Sequence, residues 1–141
     1  MVQIIVATHG GLARELVHTT QLIVGAQKGL IPVCLELHEG IEDLKGKLQR
    51  CLEQPAEGTE GHLVLVDMFG GTPSNVALEM SQNHPLRVLT GVNLPMLLES
   101  LTHRSLMDVV ELAEFIAKRG KQSIFNASEL FAPRRVPPGE G

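Results

Sequence analysis

The chain has 141 residues, 43% of them hydrophobic, enough for one domain with a sizeable core. Twelve Lys and Arg against sixteen Asp and Glu give a net charge of -4, with no basic block. With 3% aromatic residues and neither Trp nor Tyr, nucleic acid is not an expected partner. No apolar run is long enough to cross a bilayer, and no basic segment leads into an apolar one at the N-terminus, so the expectation is a soluble, cytoplasmic protein.

Short apolar runs alternate with amphipathic stretches along the chain. Val2–Ala7 reads as a buried strand, broken by Thr8-His9-Gly10-Gly11. Leu12, Ala13, Leu16, Val17, Ile23 and Val24 then recur at helical spacing until Gly25. Ile31–Leu37 is a second strand, and Ile41, Leu44, Leu48 and Leu52 mark a second helix. Cys34 in that strand and Cys51 in that helix have no metal-type or redox-type spacing and read as structural thiols. After a loop over Gln54–Gly61, His62–Met68 is a third strand.

Phe69-Gly70-Gly71-Thr72-Pro73 follows it. Thr72 is the expected N-cap and Pro73 the first position of a helix to about Gln82. Leu86–Val92 is a fourth strand, and Asn93-Leu94-Pro95 opens a helix to about Thr102. Ser105 with Asp108 resembles a capping box for a last helix ending near Gly120. Gln122–Phe125 reads as a short fifth strand, and the Pro- and Gly-rich Pro133–Gly141 as a disordered tail. The domain is expected over residues 1–130, with 131–141 outside it. Strand–helix alternation of this kind specifies an α/β protein with a parallel sheet and helices on both faces.

In such open sheets ligands bind beyond the carboxyl ends of the strands, near the point where strand order reverses. That rule selects His9 after the first strand, Asp67 and the Phe69–Pro73 loop after the third, and Asn93 after the fourth. Each leads into a helix N-terminus, where free N–H groups and the helix dipole favour an anion. Asp67 is the only acidic residue in its apolar strand. A carboxylate there that accepted one imidazole N–H would leave the other ring nitrogen unprotonated and nucleophilic. Gly10 follows His9 and lets backbone approach a bound group, while Gly70, Gly71 and Thr72 could donate to phosphoryl oxygens. Taken singly, a residue such as His9 is more often a turn or helix-cap residue, one such as Asp67 quite often a local cap, and Gly-Gly-Thr-Pro more often turn punctuation. No P-loop, dinucleotide fingerprint or G-x-S-x-G occurs, and the other histidines lack metal-type spacing, so neither metal nor cofactor is expected.

Three segments, Val6–Gly11 (VATHGG), Leu65–Ala77 (LVDMFGGTPSNVA) and Thr90–Leu101 (TGVNLPMLLESL), resemble in order and spacing the mannose-type IIA component of the bacterial phosphoenolpyruvate-dependent sugar phosphotransferase system. The resemblance covers about residues 1–125. It implies a doubly wound, four-stranded parallel sheet of order 2-1-3-4, a phosphorylated histidine at His9 and its hydrogen-bonded carboxylate at Asp67. It implies a site lined by Phe69, Gly70, Gly71, Thr72 and Pro73, with Asn93 nearby. It further implies a homodimer that exchanges a short C-terminal antiparallel strand, for which Lys121–Phe125 is the candidate. Phe69 is often Trp and Thr72 often Ser in sugar-transporting relatives, both mild departures.

The implied activity is phosphotransfer through a phosphohistidine. The donor would be the small histidine-containing phosphocarrier protein and the acceptor a separate IIB component, with contact to the membrane only through IIC and IID subunits. The expected geometry directs Nδ1–H to Asp67 and leaves Nε2 to attack phosphorus. Three alternatives stand beside it: a regulatory phosphoprotein without transport, the phosphotransfer subunit of a dihydroxyacetone kinase, and an anion-binding module in which His9 only touches ligand.

Overall fold

The structure, a computed structural model, describes residues 1–131 and Gly139; most of the expected disordered tail lies outside the described residues. Four strands, β1 (Val2–His9), β2 (Leu30–Leu35), β3 (Gly61–Val66) and β4 (Leu86–Leu89), form one parallel sheet in the order β2-β1-β3-β4. Six helices connect and follow them: α1 (Leu12–Val24), α2 (Ile41–Glu53), α3 (Thr72–Met80), α4 (Leu94–His103), α5 (Val109–Gln122) and α6 (Ala127–Leu130). The expected architecture and strand order are those observed.

The central strands are apolar almost throughout because both sheet faces are covered. Alternation along β1 and β3 divides the core in two. Ile4, Val6, Leu63 and Leu65 pack under Ala13 and Val17 of α1, Met96 and Leu97 of α4, and Leu112 and Ile116 of α5. Ile5, Ala7, Val64 and Val66 face Leu44 and Leu48 of α2 and Val76, Ala77 and Met80 of α3. Each fully buried Leu or Ile contributes about 1.5–3 kcal/mol, so this two-sided burial fixes the position of β1 and β3 and of whatever stands at their ends. Pro32 sits in β2, an edge strand, where a missing N–H is tolerated.

Several boundaries differ from the sequence reading. β2 stops at Leu35, because Glu39 Oε1 accepts the Glu36 N–H at 2.8 Å and turns the chain there. The N-cap of α3 is Gly71 in extended conformation; Thr72 is already helical, and the helix stops at Met80. Asp108 alone caps α5, its Oδ1 accepting the Glu111 N–H at 2.9 Å, without Ser105. Gly120 packs on Met96 inside α5, which runs on to Gln122. The fifth strand expected over Gln122–Phe125 is therefore absent from the described residues. Lys121 and Gln122 complete a helix whose apolar side is anchored on the core, and Ile124 and Phe125 follow it unpaired and exposed. The short helix α6 has no counterpart in the periodicity.

Candidate functional site

β1 and β3 are neighbours, and the chain leaves them in different directions, β1 toward β2 and β3 toward β4. Their carboxyl ends therefore border the crevice at the switch point. The β1–β3 register ends at Ala7 opposite Val66, so Asp67 stands where the next pairing would begin. Its side chain continues the ladder: Asp67 Oδ2 accepts the backbone N–H of His9 at 3.0 Å, and Oδ1 accepts the N–H of Met68 at 3.0 Å. Oδ2 also lies 2.8 Å from His9 Nδ1. An ionised carboxylate only accepts, so Nδ1 carries a proton, and in the neutral ring Nε2 then presents a lone pair. The histidine side chain is 46% exposed and the aspartate 15%, a partly buried anchor under an accessible ring.

The glycines after β3 shape the space beside that ring. Gly70 has φ +88°, a left-handed conformation that glycine adopts without strain, and it turns the chain back toward β1. Gly71 then passes so close that a Cβ there would stand 2.6 Å from His9 Cε1 and 3.1 Å from Nε2. The start of α3 is thereby laid against the nucleophilic edge of the imidazole. Among the described residues, the N–H groups of Gly70, Gly71 and Thr72 meet no backbone acceptor. Met68 and Phe69 are exposed and give the rim an apolar character.

On the other side of His9, Gly10 donates its N–H to Leu35 O at 2.8 Å, so this amide belongs to the sheet. The N–H groups of Gly11 and Leu12, which follow it, have no protein acceptor among the described residues. Thr8, which in the sequence reads only as part of a strand break, is buried and accepts the Ala13 N–H through Oγ1 at 2.7 Å. It ties the first turn of α1 to β1, directly behind the histidine. Arg14 carries no signal of its own in the sequence. It is ion-paired with Glu36 at the end of β2, and that hydrogen bond raises its pKa further above the usual arginine value. Asn93 serves as a cap instead. Its Oδ1 accepts the Met96 N–H at the start of α4 at 2.9 Å, and Nδ2 donates to Ser123 Oγ at 3.4 Å. The structure thus brings His9, Asp67 and Gly71 together, with Gly70 and Thr72 flanking Gly71 in the chain, and gives Asn93 to capping.

No group of three or more His, Cys, Asp or Glu side chains among the described residues could hold a metal ion. No helix there is long and apolar enough to cross a membrane.

Fold and site together define an open, doubly wound α/β protein with a carboxylate-oriented histidine at its crevice. The family model described as "PTS system fructose IIA component" matches residues 3–117. A fructose-specific EIIA component of Bacillus subtilis is 34% identical over 130 residues, covering 92% of this chain and 88% of the relative. A mannose-specific EIIAB component of Escherichia coli is 32% identical over 129 residues, 87% of this chain, which spans 39% of that longer protein. Among solved structures, an EIIA component from Streptococcus agalactiae matches with TM-score 0.85 and 28% identity, covering 92% of this chain and 99% of that one. A mannose/sorbose-specific IIA subunit from Enterococcus faecalis matches with TM-score 0.79 and 31% identity, covering 96% of each chain. The chain belongs to the mannose-type IIA family of the phosphotransferase system, whose members transfer phosphoryl groups.

Proposed function

We propose that the chain is a phosphocarrier of a sugar phosphotransferase system that accepts a phosphoryl group on His9 Nε2 and passes it to a IIB component. The observation that supports this reading most is the 2.8 Å contact between His9 Nδ1 and Asp67 Oδ2, with Nε2 left toward the start of α3. The donor in this reading is the phosphohistidine of the histidine-containing phosphocarrier protein. The Nε2 lone pair forms the new N–P bond, and the electrons of the breaking P–N bond return to the donor nitrogen. His9 keeps its Nδ1 proton, so the ring gains positive charge as it is phosphorylated, and Asp67 is placed to balance that charge. Donor and acceptor are both imidazoles, so the barrier is lowered mainly by positioning and by charge stabilisation at the transferred group. The free N–H groups of Gly70, Gly71 and Thr72, the Thr72 hydroxyl and the two adjacent helix N-termini are the donors for it.

The likeness to fructose- and mannose-specific components supports a sugar-system role over the regulatory or dihydroxyacetone kinase alternatives. The homodimer belongs to the same reading, and the exposed Ile124, Phe125, Leu130 and Phe131 offer it an apolar surface. The test is phospholabelling from phosphoenolpyruvate with enzyme I and the phosphocarrier protein. Wild type takes an acid-labile label and His9→Ala takes none; label surviving in His9→Ala would refute the assignment.

A further inference from the structure

Arg14 stands in the first turn of α1, the turn that begins three residues after His9. A cation there opposes the helix dipole, an arrangement that costs a helix stability unless an anion is close. Glu36, just beyond the end of β2, supplies that anion and holds the guanidinium in an exposed ion pair. The pair also stands on the β2 side of the site, where it lines a groove with Val33 and Lys47. The guanidinium Nη1 lies 2.9 Å from where a Cβ on Gly11 would stand, so it rests on the backbone that follows His9. Glu36 follows Leu35, the residue paired with His9 in the sheet and the acceptor of the Gly10 N–H. Arg14 and Glu36 are about half exposed, so neither is locked by packing. Glu36 carries a second constraint, because its own N–H is held by Glu39 Oε1, which also accepts from Lys47 Nζ at 2.6 Å. The carboxylate is thus tethered at its backbone, while Arg14 swings on a long flexible stem.

We infer that Arg14 is a phosphoryl-binding residue kept in reserve: it pairs with Glu36 while His9 is free and exchanges Glu36 for the phosphoryl oxygens when His9 is phosphorylated. This rests on the phosphocarrier reading above. A phosphoryl group brings a charge of about -1.5 to -2 and three strong acceptors, against a single carboxylate charge. The planar guanidinium fork suits either partner. The two anions compete for one cation, so removing the cation and removing the competitor must act in opposite directions.

The test phosphorylates wild type, Arg14→Gln and Glu36→Gln with potassium phosphoramidate, which needs no protein donor, and then follows equilibration with the phosphocarrier protein. Thermal melts confirm that all three are folded. Arg14→Gln is expected to lower the equilibrium fraction of phosphorylated His9 by roughly 3- to 10-fold relative to wild type, the scale of a solvent-exposed charge-assisted hydrogen bond. Glu36→Gln should raise it, and the double variant should follow Arg14→Gln. The phosphorus NMR titration of the phosphohistidine should show a higher pKa in Arg14→Gln, a readout that a merely structural ion pair would not move. Equal occupancy in wild type and both single variants, or shifts of the same sign, would overturn the role of Arg14 while leaving the phosphocarrier reading intact. Wild type that takes no label on His9 from either donor would overturn both.

Discussion

The close passage of Gly71 past the imidazole makes Gly71→Ala the sharpest test of the site. The backbone at Gly71, φ -89° and ψ 174°, is one that alanine adopts freely, so the substitution introduces no torsional strain. Its Cβ, however, would stand 2.6 Å from His9 Cε1, where carbon atoms normally approach no closer than about 3.5 Å. The half-exposed ring is the part that can yield, and it must retreat by about 1 Å. The Nδ1 to Asp67 contact begins at 2.8 Å, so a retreat of that size stretches it beyond hydrogen-bond range. A misplacement of about 1 Å at a reacting group costs on the order of 10²-fold in rate. The variant should therefore accept a phosphoryl group about 100-fold more slowly. Its thermal stability should stay within about 1 kcal/mol of wild type, because reduced unfolded-state entropy offsets the lost hydrogen bond. Rapid-quench transfer of radiolabelled phosphate from the phosphocarrier protein measures the rate, and thermal unfolding measures the stability. Gly70→Ala is the control: nothing lies within 4 Å of its Cβ, but φ +88° is costly for alanine, so it should lose about 1–2 kcal/mol of stability. Wild-type transfer in Gly71→Ala would show that the imidazole does not work from the position beside Gly71, and the geometric argument would fall.

Two further perturbations separate orientation from support. Asp67→Asn replaces an acceptor-only group by one with two N–H donors facing the His9 N–H and Nδ1–H; it should slow transfer by roughly 10²-fold or more and cost about 1–3 kcal/mol. Wild-type rates in a folded Asp67→Asn protein would reduce the carboxylate to a structural cap. At the opposite end of the sheet, Gln3 Oε1 accepts the Ala56 N–H at 2.9 Å, so its amide nitrogen faces His62 Nδ1 at 3.2 Å and holds that atom unprotonated. Burial, assisted by the charge of His84, lowers the His62 pKa below the usual histidine value. A folded-state pKa below the unfolded one means the unfolded chain binds the proton first as pH falls. Stability from this group is therefore complete above the ordinary histidine range and is lost as pH drops through about 6.5 and below. Melting temperatures between pH 7.5 and 5 should fall in wild type and flatten in His62→Gln; parallel slopes would place the titration elsewhere.

How much of the fold and site is legible in the sequence follows from which groups carry the information. The strand runs of β1 and β3 are readable because two covered sheet faces demand unbroken apolar sequence, and the helices because one covered face demands a 3.6-residue period. His9 and Asp67 are readable because a polar side chain at the end of such a run has few structural uses. The departures share one cause: at helix ends and turns, backbone partners decide, and backbone groups leave no trace in side-chain identity. Gly10 reads as an anion ligand, yet its N–H closes the sheet on Leu35. Thr72 reads as a cap that Gly71 provides, and the strand expected at Gln122–Phe125 begins inside α5. Arg14 and Glu36 lie 22 residues apart, and only the β1–β2 register joins them.

The same carboxylate that orients His9 also ends the sheet, and this makes fold and chemistry difficult to separate in this family member. β1 extends two residues beyond the last β1–β3 pair; Thr8 and His9 still pair with Cys34 and Leu35 of β2, but what holds them toward β3 and α1 is side-chain chemistry: Asp67 on the His9 N–H, and Thr8 on the first turn of α1. A strand that frayed here would carry the imidazole away from Gly71 and from the start of α3. The β1–β3 ladder runs only as far as Ala7 and Val66. From there the position of the nucleophile depends on the pairing with β2 and on three polar contacts between 2.7 and 3.0 Å. Thr8 is therefore expected to matter for transfer although it touches no reacting atom, since it secures the turn from which His9 is presented.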